Sequence, residues 1–189
     1  MRKIATIMLL IVSIFLICSC GNNSNGRTNN GSLEYSQHIY EGRFKDTGQK
    51  YFVYDSSNVL LWISGAEFTN GLGDNFYYKK AMGKFAVVCV EVQNNQRDAI
   101  TVDNSCFKLV DMETRTQYSP SAEGQLAFDM SYDNSSTFIQ LNPGLKMSMW
   151  VVFDVPESLL NRKMGLLGRG GFTGRDVLMD FGEIKFKRM

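Results

Sequence analysis

The stretch "GKFAVVCVEVQN" (83–94) decides the fold. Apolar residues occupy both of its parities, Phe85, Val87 and Cys89 on one and Ala86, Val88, Val90 and Val92 on the other. Successive side chains of a strand point to opposite faces, so the pattern predicts a central strand covered on both sides for much of its length. On either side of it, "QKYFVYD" (49–55), "NVLLWISGAEF" (58–68), "SCFKLVD" (105–111), "STFIQLN" (136–142), "LKMSMWVVFDV" (145–155) and "DVLMDFGEIKF" (176–186) are also rich in β-branched and aromatic residues. Turn formers separate them: Asn94-Asn95, Asn142-Pro143-Gly144 and the glycines between 165 and 174. Strands this short and this closely spaced predict an all-β antiparallel sandwich or barrel rather than βαβ units. In 145–155 the first half alternates and "WVVF" is wholly apolar, which places the start near solvent and the end in the core. "SAEGQLAFDM" (121–130) is read as one or two turns of helix.

The chain opens differently. Arg2 and Lys3 precede an uncharged apolar run from Ile4 to Ile17, closed by Cys18, Ser19, Cys20 and Gly21. This basic, apolar, small layout is that of an export signal, and the run is shorter than the roughly 20 residues a membrane-spanning helix requires. Ile17-Cys18-Ser19-Cys20 resembles the lipobox of bacterial lipoproteins, with Ile17 where that pattern prefers Leu. The resemblance implies a cleaved signal peptide over 1–19 and acylation of Cys20. The simpler alternative is an ordinary secretory signal. Acyl chains contribute about 0.8 kcal/mol per buried methylene, so two or three would hold the chain on a membrane without a spanning helix.

After Cys20, residues 20–34 are almost entirely Gly, Asn and Ser, a flexible tether. Residues 35–189 are long enough for one domain with its own core. Loss of Arg2 and Lys3 lowers the 20 Lys+Arg to 18 against 19 Asp+Glu, a net of −1. A nucleic-acid binder shows a basic excess or stripe, so nucleic acid is not an expected partner. Outside the cytoplasm Cys89 and Cys106 are free either to pair as a disulfide or to stay buried thiols, and the sequence leaves both open.

Chemistry finds little support. His38 is the sole histidine, which rules out a His cluster and is read as an exposed polar residue. Glu123, Asp129 and Asp133 are acids near one another in sequence, but nothing fixes their separation. "DMSYDNSS" (129–136) lacks the spacing and turn glycine of a calcium loop. "GRGGFTG" (168–174) is followed by strand rather than helix, so it reads as a hairpin connection, not a phosphate cradle. No metal, cofactor or catalytic residue is expected. Tyr51, Tyr54, Trp62, Phe76, Tyr77 and Tyr78 supply aromatics in or beside the early strands; Trp62, Phe76, Tyr77 and Tyr78 are the candidate binding surface, against the alternative of core packing.

"GKFAVVCVEVQNN", "CFKLVD", "LNPGLKMSMWVVFDVPES" and "VLMDFGEI" together resemble a domain-of-unknown-function family of immunoglobulin-like domains on exported bacterial proteins, often lipoproteins, related to the mycobacterial immunoprotective extracellular proteins. Its telling pieces are the apolar strand ending Val92-Gln93-Asn94 and the Pro143-Gly144 turn leading to Phe153–Pro156. The resemblance implies an Ig-like sandwich on the outer side of a bacterial membrane and carries no catalytic residue. The expectation is a lipid-anchored cell-envelope protein that is no enzyme and acts by binding an envelope protein or other extracellular partner. The alternative is a small-ligand or glycan-binding lipoprotein whose pocket those aromatics would line.

Overall fold

In the computed structural model, which describes residues 33–132 and 138–188, the strand read as central is central. In chain order the strands are β1 (Tyr40–Arg43), β2 (Lys50–Asp55), β3 (Val59–Gly73), β4 (Tyr78–Asn94), β5 (Ile100–Val102), β6 (Phe107–Asp111), β7 (Gln117–Tyr118), β8 (Ile139–Leu141), β9 (Lys146–Val155), β10 (Met164–Gly168), β11 (Val177–Asp180) and β12 (Lys187–Arg188). An α-helix, α1 (Ala122–Tyr132), lies between β7 and β8. The first sheet runs β1-β2-β3-β4-β9 with β12 added parallel to β3, and the second runs β11-β10-β6-β7. Lettered as an immunoglobulin domain, β3, β4 and β9 are A, B and E, while β7, β6, β10 and β11 are C′, C, F and G. The fold is an all-β, Ig-like antiparallel sandwich.

Every residue from Phe85 to Val92 is buried, because the two parities face two different cores. Ala86, Val88, Val90 and Val92 meet Phe107, Leu109, Leu166 and Met179 between the sheets. Phe85 and Val87 face outward and would be wet, but α1 covers them with Ala127 and Phe128. Ser121 caps this helix by accepting from the Gly124 amide at 3.1 Å. Gln125 fastens it to the edge of β9, donating to the Trp150 carbonyl and accepting from the Val152 amide, each at 3.0 Å. The helix is longer than the one or two turns expected.

Local turn chemistry sets the hairpins. Between β2 and β3, Ser57 and Asn58 both have positive φ, and Ser56 and Val59 exchange backbone hydrogen bonds around them, the type I′ geometry that suits twisted strands. Asn142-Pro143-Gly144 turns with φ of 76° at Gly144 and a Leu145 amide donating to the Asn142 carbonyl, as a Pro-Gly type II turn does. The 168–174 stretch joins β10 to β11 as the expected hairpin connection.

Several boundaries differ from the sequence expectation. The strand expected over 176–186 stops at Asp180, turns at Gly182 (φ 62°) and returns as β12. Gly165 and Gly168, expected in a turn, lie in β10; a Cβ at Gly168 would sit 2.7 Å from the Met179 methyl, so the glycine answers packing rather than turning. Residues 105–111 begin with a 3-10 turn at Asn104–Cys106, and the 136–142 strand is only Ile139–Leu141 among the described residues. The strand over 145–155 behaves as read, with Lys146 and Ser148 exposed and Val151, Val152 and Phe153 buried.

Candidate functional site

The most unusual surface is an arm. β3 and β4 pair as far as Gly73 and Tyr78, whereas β9 leaves β4 at Lys84 and β12 leaves β3 at Phe68. The segments between therefore continue as a two-stranded extension. Its tip closes on Asp74, whose carboxylate accepts from the amides of Phe76 at 2.8 Å and Tyr77 at 3.0 Å. Gly73, at φ 115°, gives the Tyr77 carbonyl a space no Cβ could share. These bonds lower the Asp74 carboxyl below its usual pKa.

The arm has two unlike faces. Leu72, Tyr77 and Ala81 pack with Phe128 of α1, and Lys79 forms an ion pair with Glu123. The other face carries Tyr78, Lys80 and Met82, with Phe76 at the tip. Phe76 is 96% exposed, Met82 94% and Tyr78 63%, although all three are large and apolar. Tyr78 lies across Gly71, which has no side chain to hold it away. At the arm's base the Asp154 carboxylate accepts from the Met82 and Gly83 amides. So Phe76 and Tyr78 are exposed, and Tyr77 is half-buried against the helix.

Trp62 does not join them. It pairs with Glu91 near the far end of β4 and is only 8% exposed. Tyr51 stacks against it at 6.3 Å between centroids, and the Lys146 ammonium stands 5.3 Å above its ring. Trp62 is thus a covered outer-face residue rather than part of the arm, and the proposed four-residue surface divides in two. Tyr54 is core; its hydroxyl accepts from the Asp180 amide at 2.8 Å, and burial raises its pKa to about 12.

Cys89 and Cys106 are free and buried. The disulfide alternative fails on parity: Cys106 lies in the core between the sheets, whereas Cys89 shares the outward face of Phe85 and Val87. Burial pushes the Cys89 thiol up to about 11 and raises Cys106 as well. His38 is half-buried rather than exposed, its ring 4.6 Å from that of Phe52 and its Nε2 3.2 Å from Glu41. Glu123 is engaged by Lys79, and Gln125 donates to Asp129. Among the described residues no cluster of His, Cys, Asp or Glu is arranged to hold a metal. The export signal, Cys20, nearly all of the tether and Asp133 lie outside the described residues. Among the described residues no helix is long and apolar enough to cross a membrane.

Two cavities flank the C-terminal segment 184–187. The apolar one, about 280 Å³, is walled by Phe68, Phe181 and Phe186. The polar one, about 250 Å³, lies beside β3 and has Trp150 and Phe44 as its aromatics. None of Tyr51, Tyr54, Trp62, Phe76, Tyr77 or Tyr78 lines either. Met82 and the polar cavity were missed from sequence. The alternation Tyr78, Lys80, Met82 before Gly83 was a readable signal for the first, while the cavity's residues are scattered from 44 to 187.

No curated protein matches this chain. Among solved structures, a Bacillus subtilis protein provisionally described as a lipoprotein is similar with a TM-score of 0.50 and 16% identity, over 69% of this chain and 38% of its own. A conserved hypothetical protein from Bacillus anthracis is similar with a TM-score of 0.46 and 15% identity, over 79% of this chain and 99% of its own. An uncharacterized beta-sandwich protein from Clostridium difficile has a TM-score of 0.41 and 12% identity, over 68% and 88%. A likeness at such identity speaks to fold alone. The family model described as "Domain of unknown function (DUF4352)" matches residues 47–169, from just before β2 to the end of β10, and the chain belongs to that family.

Proposed function

We propose that this chain is a lipid-anchored cell-envelope protein, held on the membrane through Cys20, whose domain works by holding a protein partner through the β3–β4 arm. It is not an enzyme. The observation that carries the reading is the bare face of the arm: Phe76, Tyr78 and Met82 expose large apolar side chains that folding leaves unburied. Exposed aromatics with a neighbouring cation are the material of interface anchors, and here Lys80 lies between Tyr78 and Met82. The β9 edge of the sheet is better hidden, since Lys146 and Ser148 stand on β9 and Gln125 covers its middle.

The test is crosslinking of the full chain in its own cells, beside Cys20→Ala and a Phe76→Ser/Met82→Ser double variant. The reading expects one defined envelope protein, captured by the parent chain and lost with either change. Capture that is indifferent to the arm variant would remove the arm, and capture indifferent to Cys20 would remove the anchor.

A further inference from the structure

The first sheet is split. Among the described residues, β2 pairs with β3 only at Tyr54–Leu61 and Asp55–Leu60, and β12 pairs with the same side of β3 only at Glu67 and Phe68. Between them β3 carries a bulge at Ser64, with Ile63 opposite Val90 and Gly65 opposite Cys89. The polar cavity opens at this break. Its size, about 250 Å³, is just below the roughly 300–1,000 Å³ of pockets for drug-sized ligands, so it suits one small ring rather than a chain.

Its chemistry is mixed and balanced. Asp46 and Glu67 face it with Lys185 and Lys187, two acids against two bases. None of the four is held in an ion pair within 4.0 Å among the described residues. Glu67 is half-buried, and that burial raises its carboxyl above the usual range against the pull of Lys187. Gln49 and Ser64 are also polar residues of the lining, and the Ser64 hydroxyl is engaged with the Cys89 thiol. Gly65 is part of the floor, with the Trp150 indole beside it.

Two acids against two bases leave the lining with no preference for an anion over a cation. A site dense in both donors and acceptors suits a neutral molecule whose every polar group is both, which is a hydroxyl. An indole beside a side-chain-free backbone suits an apolar C–H face. We propose that the cavity between β2 and β12 binds a single neutral sugar ring, with Trp150 against its C–H face and Asp46, Glu67, Gln49 and Lys185 on its hydroxyls. The site is separate from the arm, so either can fail without the other.

The test is a titration of the full chain with glucose, N-acetylglucosamine and, as a zwitterion of similar polarity, glycine, followed by amide and indole chemical shifts. At least one sugar is expected to move the amides of residues 64–67 and the Trp150 indole saturably at up to about 10 mM. A Cβ at Gly65 would meet only ordinary contacts, 3.6 Å to Cys89 and 3.8 Å to Trp150, so Gly65→Leu puts added bulk at the cavity lining from a tolerated Cβ. It is expected to weaken binding about tenfold or more with its unfolding midpoint unchanged. Glu67→Gln keeps the shape and removes an acceptor, is expected to weaken binding about fivefold, and decides the matter if Gly65→Leu does not fold. Phe76→Ser is expected to leave the titration unchanged. Silence with both sugars, equal shifts with glycine, or a folded Gly65→Leu chain that binds as before would each overturn the proposal.

Discussion

The Gly144 amide donates to the Asn94 carbonyl at 2.7 Å, and the Asn94 amide donates to the carbonyl of the next residue, Leu145, at 2.9 Å. The end of β4 and the Pro-Gly turn are therefore one structural joint. The Asn94 side chain completes it, donating to the Asp98 and Leu141 carbonyls at 2.9 Å each and accepting from the Gln96 amide. Asn94 is 0% exposed and its bond to the Leu141 carbonyl is buried, so its loss leaves that carbonyl without this partner, while Gln96 and Asp98 stand nearer the surface. Asn94→Ala is expected to cost about 2–4 kcal/mol, read from the urea midpoint at constant slope. A loss below about 1 kcal/mol would mean that the joint holds through its backbone bonds alone.

Asp111 closes the turn from β6 to β7. Its burial disfavours the charge, but the Thr114 hydroxyl, Arg162 at 2.7 Å and the amides of Glu113 and Thr114 outweigh it and lower the carboxyl from 3.8 to about 2. A carboxyl with a depressed folded-state pKa stabilises above its unfolded value and loses that stabilisation as pH falls through the folded one. The parent chain is expected to lose stability between about pH 4 and pH 2 more steeply than Asp111→Asn. Parallel acid-unfolding curves for the two chains would contradict this.

The two thiols should be inert while the domain is folded. A thiol reacts as its thiolate, and burial holds Cys89 and Cys106 protonated. Iodoacetamide at pH 8 is expected to leave both unmodified in the native protein and to label both in denaturant, as peptide mapping would show. A Cys89–Cys106 linked peptide after mild oxidation would contradict their placement on opposite faces.

Gly124 lets α1 settle on the sheet. A Cβ there would fall 2.7 Å from Phe85 Cε1 and 2.9 Å from Val152 Cγ1, both in the core under the helix. Alanine favours a helix interior over glycine by about 1 kcal/mol, whereas overpacking costs about 1–3 kcal/mol. Gly124→Ala is therefore expected to be neutral to destabilising by up to about 2 kcal/mol, with Phe85 ring signals displaced. A stabilised variant with those signals unmoved would show that α1 does not rest on Phe85.

Much of the candidate site was half legible. Phe76 and Tyr78 were visible as aromatics in a hairpin region, but which of six aromatics would be left bare depended on where β9 leaves β4. Trp62 alternates like a core residue yet lies under Lys146, a neighbour from a strand more than eighty residues later. Glu67 and Lys187 become cross-strand partners only because the chain doubles back at Gly182.

The sequence by itself determined an all-β antiparallel fold, sandwich or barrel, with "GKFAVVCVEVQN" at its centre. Strand periodicity and turn chemistry are local, and a strand apolar on both parities can only sit between two covering layers. It also determined the turn at Pro143-Gly144, because those residues carry their own φ preferences, whereas the Ser57-Asn58 turn was not read and Asn58 was expected in a strand. The tertiary structure alone decided that α1 is the second cover, that the cysteines face opposite ways, that the arm outruns its neighbours, and that β12 leaves a gap beside β3. Each of those depends on the register and length of strands distant in sequence, set by how whole faces pack together rather than by any window of residues.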